Sequence, residues 1–406
     1  MKNILILGGR YLPNASANMI CVNNIISSIP FDEYDVHVIC YDDFAEYDST
    51  DSVAVHRIRR GLLQSILYYL ENKNSSFWRL FKKLILVLAK LKQVIFIPVF
   101  PLTDPIFTLR EYFVAKKLFK KYNFQKVISV YMPLSSLLVG HFLKNKNPEI
   151  QFYPYFLDAL VGGNNPSYIS RTRFDNKAYK WEKFLISNAD KVIYMESARE
   201  YRSNTYKLSD LGKSVYLDIP MIKNRSSVAP VNRKGVTILY IGSIQLSMRS
   251  PEFFLRLFNK CQNPEWKLIF VGETECSLLN QYSKIDSRIS VVGKVSYDEA
   301  QKYIYDADIL LNIGNSNANL TPSKVFEYIS FGKKIISTYR IDNDSCVPYL
   351  KKYPLSLLID ERSPIEDVIN DLELFVDSGM NSVEYEEISK LFFNNTATAF
   401  LKEIDV

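Results

Sequence analysis

Histidine and cysteine are scarce in this chain. The sequence has three histidines, His37, His56 and His141. His37 and His56 sit inside strand-like apolar runs and read as structural, which leaves little room for a histidine-rich metal site or a His-based triad. The five cysteines (Cys21, Cys40, Cys261, Cys276 and Cys346) are scattered, with no CxxC pair. They read as buried thiols of a reducing compartment rather than as a metal or disulfide framework. A large excess of either charge is missing as well. The formal net charge is +6 over 406 residues, and no RNP, zinc-finger or basic-zipper pattern occurs, so nucleic acid is not expected as a partner. A mild positive balance suits an anionic phosphate ligand or a negatively charged membrane face.

Long apolar runs are also absent. The greasiest stretch, Phe77 to Leu102, is broken by Arg79, Lys82, Lys83, Lys90, Lys92, Pro98 and Pro101, whereas a spanning helix needs about 20 nearly uncharged apolar residues. The opening run Met1–Gly9 is too short for a signal peptide and ends in a glycine turn. A cytoplasmic protein is expected, with peripheral contact at the inner face of the plasma membrane left open.

What is present is ample core material, 47% hydrophobic residues, in a length that suits two domains. Continuous apolar runs at 2–8, 35–41, 53–58, 126–131, 151–157, 191–196 and 213–218 read as parallel strands covered on both faces. Helical segments at 17–29, 76–93, 105–121, 133–144 and 170–188 alternate with them, the rhythm of a doubly wound α/β sheet. Residues 218–235, with Pro220 and Pro230, break that rhythm. It resumes with strands at 236–243, 267–272, 289–293, 309–314 and 334–338 and helices at 251–261, 297–306 and 322–330. The expected division is a first domain at 1–218, a linker at 219–235, a second domain at 236–378, and C-terminal helices at 379–406 packing back toward the first domain. Ser296 with Glu299 and Ser363 with Glu366 read as capping boxes. Ser250-Pro251 and Thr321-Pro322 place a cap before a proline at the first helical position.

Ligands of open α/β sheets bind beyond the carboxyl ends of the strands. Three strand ends carry small, polar loops. The first, Gly8 to Asn18, lacks the GxGxxG spacing and reads equally as a ligand contact or as a plain glycine turn. The second runs from Ile241 to Pro251 and the third from Gly314 to Lys324, each ending at a helix N-terminus, where free N–H groups favour an anion. Arg249 precedes one helix start and Lys324 lies in the first turn of another. Both sit at the unfavourable end of the helix dipole, by roughly 0.3–1 kcal/mol each, which a diphosphate between them would explain. Glu327, one turn beyond Lys324, either accepts two hydrogen bonds from ribose hydroxyls or simply complements the helix dipole or pairs with Lys324.

The stretch from Leu310-Leu311-Asn312-Ile313-Gly314 through Thr321-Pro322-Ser323-Lys324-Val325-Phe326-Glu327 to Ile336 resembles the donor-site segment of GT-B glycosyltransferases. It is most similar to the family 4 type that builds bacterial surface and capsular polysaccharide. Val291–Val295, the helix to Ala307-Asp308 and the Gly242…Arg249 loop stand upstream in the expected order. In the first half the likeness rests on the opening glycine loop, on Tyr155–Asp158, and on Trp181-Glu182 leading to Ala189-Asp190. The resemblance implies two Rossmann-like domains facing a central cleft, and a retaining, metal-independent hexosyltransferase. It implies a UDP- or GDP-sugar as donor substrate, no separate cofactor, and a glycan or polyprenyl-linked saccharide as acceptor. Glu327 would hold the ribose. Backbone N–H groups near Thr321–Lys324, Ser323 among them, would hold the diphosphate with Arg249 and Lys324, and Gly242, Ser243, Asn319 and Leu320 would also contact the donor. The backbone of Gly293, Lys294 and Val295 would receive the base, and Asn315–Asn319 would face the transferred sugar. Gly9, Arg10, Asn18 and Asp158 would form the acceptor side, with Asp158 positioning the acceptor hydroxyl; Asp158 reads equally as a turn cap before Gly162-Gly163. Two departures stand out. The family's E-x7-E pattern would place a first glutamate where this chain has Asn319, and Ser243 occupies a position that is often basic.

Three other readings are open. Asp342-Asn343-Asp344 spells the DxD of metal-dependent GT-A transferases. A sugar-nucleotide epimerase can share the GT-B shape, and Asn319 and Ser243 also suit a non-catalytic partner subunit. The basic, aromatic segment Phe77–Lys83, followed by Lys90 and Lys92, fits either a helix on an anionic membrane or an ordinary sheet-packing helix.

Overall fold

Continuous apolar runs form the strands, and each strand pairing is parallel. The computed structural model describes residues 1–42, 52–59, 61–70, 75–95, 100–102, 104–163, 165, 169–205, 212–225, 235–244, 246, 248–273, 276–315, 323–380 and 382–406. The chain forms two compact units, Met1–Pro220 with Ala397–Val406, and Met221–Thr396.

The first unit opens with β1 (Lys2–Leu7), α1 (Ala17–Ile26), β2 (Tyr34–Asp42) and β3 (Val53–Arg59). Three helices follow, α2 (Leu62–Leu70), α3 (Ser76–Ile95) and α4 (Pro105–Lys121). The rhythm continues with β4 (Phe124–Val130), α5 (Leu134–Lys146), β5 (Gln151–Phe156), α6 (Arg171–Ile186), β6 (Val192–Met195), α7 (Arg199–Thr205) and β7 (Ser214–Leu217). The sheet order is β3-β2-β1-β4-β5-β6-β7. Its centre is dry on both faces. Leu5 and Leu7 pack into one core cluster while Ile4 and Ile6, pointing the other way, pack into a second.

The second unit holds β8 (Val236–Ile241), α8 (Glu252–Lys260), β9 (Trp266–Val271), α9 (Ser277–Ile285) and β10 (Ile289–Gly293). After these come α10 (Tyr297–Asp306), β11 (Ile309–Ile313), α11 (Ser323–Ser330) and β12 (Lys334–Tyr339). It ends with α12 (Val347–Leu350), β13 (Ser356–Asp360), α13 (Ile365–Asp377) and α14 (Tyr385–Leu391). Its order is β10-β9-β8-β11-β12-β13. In each sheet the order reverses at one place, between β1 and β4 and between β8 and β11, and such switch points leave a crevice at the carboxyl ends of the strands.

The last helix, α15 (Ala397–Glu403), packs with the first unit. Phe400 packs at a tilt against Tyr155 on β5, with ring centroids 4.8 Å apart. Residues 379–396, grouped with the terminal helices in the sequence reading, lie in the second unit. The Ser296–Glu299 capping box forms. Ser363 and Glu366 do not form one, because α13 starts a residue late with Pro364 at its cap. Pro251 likewise caps α8 rather than occupying its first turn. Strand β13 and helices α2 and α9 were not expected from the sequence. Leu357-Leu358-Ile359 in β13 is a short apolar run that periodicity alone cannot assign.

The scarce side chains are structural where they are described. His37 Nδ1 and His56 Nε2 lie 3.0 Å apart on neighbouring strands, and burial lowers both pKa values, most directly stabilising the neutral rings. All five cysteines are buried, and none of them forms a disulfide.

Candidate functional site

Four consecutive strands of the second unit end in glycine: Ile241-Gly242, Val271-Gly272, Val292-Gly293 and Ile313-Gly314. The backbones crowd together there. Gly242 N donates to Val271 O at 2.9 Å, and Gly272 N donates to Gly293 O at 2.7 Å. Gly272 has φ +142°, and a Cβ on it would stand 2.2 Å from Gly242 O, so only glycine closes this approach. Gly242 and Gly293, both expected at the donor site, are thereby drawn together through Gly272, which the sequence reading did not single out. Ser243 and Lys294 are exposed and Val295 is half-buried. The Lys294 ammonium stands 3.9 Å from the Glu273 carboxylate.

At the switch point, Arg249 Nε donates to Asn315 Oδ1 at 2.5 Å. Arg249 follows β8 and Asn315 follows β11. Asn315 is itself held, because its backbone N–H donates to Asp344 Oδ2 at 3.1 Å. A Cβ on Gly314 would meet that same Asp344 oxygen at 2.6 Å. The second oxygen of Asp344 accepts from Cys346 N at 2.8 Å. Asp342 instead meets Arg362 Nη2 at 2.6 Å and is largely exposed. The two acids of the DxD thus face different partners, which is the opposite of what a shared divalent ion needs. Among the described residues no group of His, Cys, Asp or Glu converges as a metal site.

Glu327 on α11 is buried, with 4% exposure. Its Oε2 meets Lys324 Nζ at 3.0 Å, and its Oε1 accepts from Gln301 Nε2 at 2.9 Å. Arg225 Nη2 stands 3.6 Å from the same Oε1, donates through Nη1 to Gln301, and lies over the Phe331 ring. Burial pushes the Glu327 carboxyl up, but Lys324, Gln301 and Arg225 together outweigh it and hold the group below the ordinary carboxylate range. Lys223 adds a half-buried cation nearby, its pKa lowered by burial and by Arg225. Pairing with Lys324, one of the roles considered for Glu327, exists in this structure. Lys324 is a third exposed, so its ammonium can turn to a ligand without unfolding the helix. Arg225 and Gln301 carry no motif and were not singled out from sequence. Asn319, Leu320 and Thr321 lie outside the described residues, as do the rest of 316–322. Ser323 begins α11.

An open cleft of about 310 Å³ begins at Ser250 and is lined by Glu252, Phe253, Arg256, Arg340, Glu361 and Arg362. Its cations are largely neutralised in place, Arg340 by Glu361 at 2.9 Å and Arg362 by Asp360 at 2.6 Å.

In the first unit the strand ends bring three of the four acceptor-side residues together. Asn18, in the first turn of α1, donates from Nδ2 to Asp158 Oδ2 at 2.8 Å and to Tyr131 O at 3.2 Å. Gly9 lies under Met132, whose carbonyl would stand 3.1 Å from a Cβ at that position. Met132 has φ +60° and a 57% exposed side chain. A non-glycine residue in that conformation costs on the order of 1 kcal/mol or more and tends to mark a functional turn; nothing in the sequence pattern flagged it. Arg10 is exposed, and its carbonyl accepts from Ser16 N at 3.0 Å.

No family model matches the sequence, and no curated protein sequence does either. Solved structures do match. The lipopolysaccharide outer core galactosyltransferase WaaB is 14% identical, with a TM-score of 0.54 over 99% of this chain and 98% of its own. HepE from Anabaena, solved with UDP and glucose, is 11% identical at a TM-score of 0.51 over 99% and 95%. An α,α-trehalose 6-phosphate synthase from Burkholderia multivorans is 11% identical at 0.57 over 100% and 95%. At these identities the likeness establishes architecture: the chain has the fold of the GT-B glycosyltransferases, built from two Rossmann-like parallel α/β units.

Proposed function

We propose that this protein is a glycosyltransferase that moves a sugar from a UDP- or GDP-sugar to a glycan or polyprenyl-linked saccharide in bacterial surface polysaccharide synthesis. In this reading it acts at the cytoplasmic side of the membrane. The observation that carries the proposal is the meeting of Arg249 with Asn315 at the β8/β11 switch point, beside a helix start that bears Lys324. Arg249 has a neutral partner there, so its charge is available to a diphosphate. HepE binds UDP in a similar fold, which supports the choice of ligand.

The proposed chemistry needs stabilisation of a leaving group more than a strong base. The bond from the anomeric carbon to the β-phosphate oxygen breaks, with its electron pair leaving on the nucleoside diphosphate. Arg249, Lys324 and the N-terminus of α11 stabilise that charge. The acceptor hydroxyl bonds to the oxocarbenium-like carbon on the face being vacated, so configuration is retained, and its proton passes to the departing phosphate oxygen. Asn18 and Asp158 position the acceptor. Glu327, preorganised by Gln301 and Arg225, receives the ribose hydroxyls once Lys324 turns to the phosphates. Asn315 faces the transferred sugar, and Gly293–Val295 receive the base.

The test is nucleoside diphosphate release from a panel of sugar nucleotides, in chelator, with and without saccharide acceptors. Acceptor-dependent release supports the proposal. Donor turnover that needs no acceptor would assign the site to epimerisation, and tight binding without turnover would assign it to a non-catalytic subunit.

A further inference from the structure

Helix α3 turns its apolar face away from the protein. Phe77, Leu80, Leu84, Val87 and Leu91 follow i, i+3, i+7, i+10 and i+14 spacing and so share one side of the helix. They are 68%, 70%, 54%, 53% and 54% exposed. Ile85, on another side, is buried. A helix that only packed on a sheet would present the reverse arrangement. Arg79 and Lys83, both exposed, stand one turn apart on the row flanking the apolar face. The whole segment Ser76–Ile95 carries five basic residues and no acidic one. The helix is about 30 Å long, and among the described residues no helix is long and apolar enough to cross a membrane.

We infer that α3 seats the first unit on an anionic lipid bilayer, its leucine face sunk among the acyl chains and its basic row at the headgroups. An exposed apolar row with a basic flank matches the two forces that hold an interfacial helix: apolar burial and attraction to anionic lipid. A second copy of this chain fits less well, because face-to-face packing of two α3 helices would set their basic rows against each other. The inference rests on α3 alone and does not depend on the transferase reading.

The experiment is vesicle flotation of the full chain with phosphatidylglycerol–phosphatidylcholine vesicles and with pure phosphatidylcholine vesicles. Wild type should float with the mixed vesicles at least about tenfold better than with the neutral ones, and less as salt rises. Leu80→Glu with Leu84→Glu, and separately Arg79→Glu with Lys83→Glu, should each cut flotation about tenfold. Their nucleotide-induced thermal shifts should be unchanged, which separates failure here from failure of the donor-site proposal. The inference is overturned if wild type floats with neither vesicle or if both variants float like wild type. It is also overturned if Leu84→Glu instead abolishes a concentration-dependent dimer seen by sedimentation without lipid.

Discussion

Arg249 reaches across the β8/β11 switch point and donates to the side-chain oxygen of Asn315 at 2.5 Å. Asn315 is anchored in turn through Asp344, so a guanidinium in a loop is held by a chain of contacts that ends in buried structure. That arrangement gives a cation a fixed direction at the place where parallel α/β sheets bind ligands.

Glu327 should separate stability from activity according to what replaces it. Glu327→Ala leaves Arg225, itself almost fully buried, without its carboxylate, and should cost about 3 kcal/mol or more. Glu327→Gln keeps the volume and an acceptor, so the fold should survive while transfer falls roughly tenfold through weaker hydrogen bonds to the ribose. Thermal unfolding beside steady-state rates checks both; a Gln variant at wild-type rate would remove Glu327 from the site.

Asn18 and Asp158 should act on the acceptor and not on the donor. With donor saturating, Asn18→Ala and Asp158→Asn should each raise acceptor KM by about fivefold to tenfold, as expected for loss of one charge-assisted hydrogen bond. Donor KM should stay within about twofold. A change confined to donor KM would remove this pair from the acceptor side.

Glu111 should make the first unit sensitive to pH. It is fully buried on α4, and its Oε1 accepts from Ser136 Oγ at 2.9 Å. Burial pushes its pKa up to about 7, against a partial opposing effect of hydrogen bonding. The folded pKa is raised, so the neutral acid is the favoured form. Its stabilisation is present below the ordinary carboxylate pKa and is lost as pH rises through about 7. Glu111→Gln stays neutral and should be more stable than wild type by about 1–3 kcal/mol near pH 8, with little difference near pH 4. Thermal melts over that range check this; equal slopes for the two proteins would refute it.

The fold was largely legible because parallel strands buried on both faces leave unbroken apolar runs, as in Ile4–Leu7 and Ile309–Leu311. Cap chemistry was legible only where side chains could close a ring. Ser296–Glu299 does so, whereas Pro364 displaces the Ser363 alternative. At the site, glycine and charge at strand ends pointed to Gly242, Arg249 and Glu327. Arg225, Gln301, Gly272 and Met132 were not legible, because each matters through a contact distant in sequence. Arg225 meets Glu327, Gly272 meets Gly242, and Met132 lies over Gly9. The charge misfit at Lys324 was read as a sign of ligand, and part of it is relieved locally by Glu327 at 3.0 Å. Arg249, with Asn315 as its neighbour, remains the stronger indicator.

If Arg249 and the surrounding strand ends grip a nucleoside diphosphate, thermal shift of wild type and Arg249→Ala with UDP, GDP and their sugar conjugates will register it. A ligand at a hundred times its dissociation constant adds about 2.7 kcal/mol, a rise of several degrees in Tm. Wild type should show that rise with one nucleotide class, and Arg249→Ala should lose it at unchanged ligand-free Tm. No shift with any nucleoside diphosphate, or an equal shift in the variant, would contradict it.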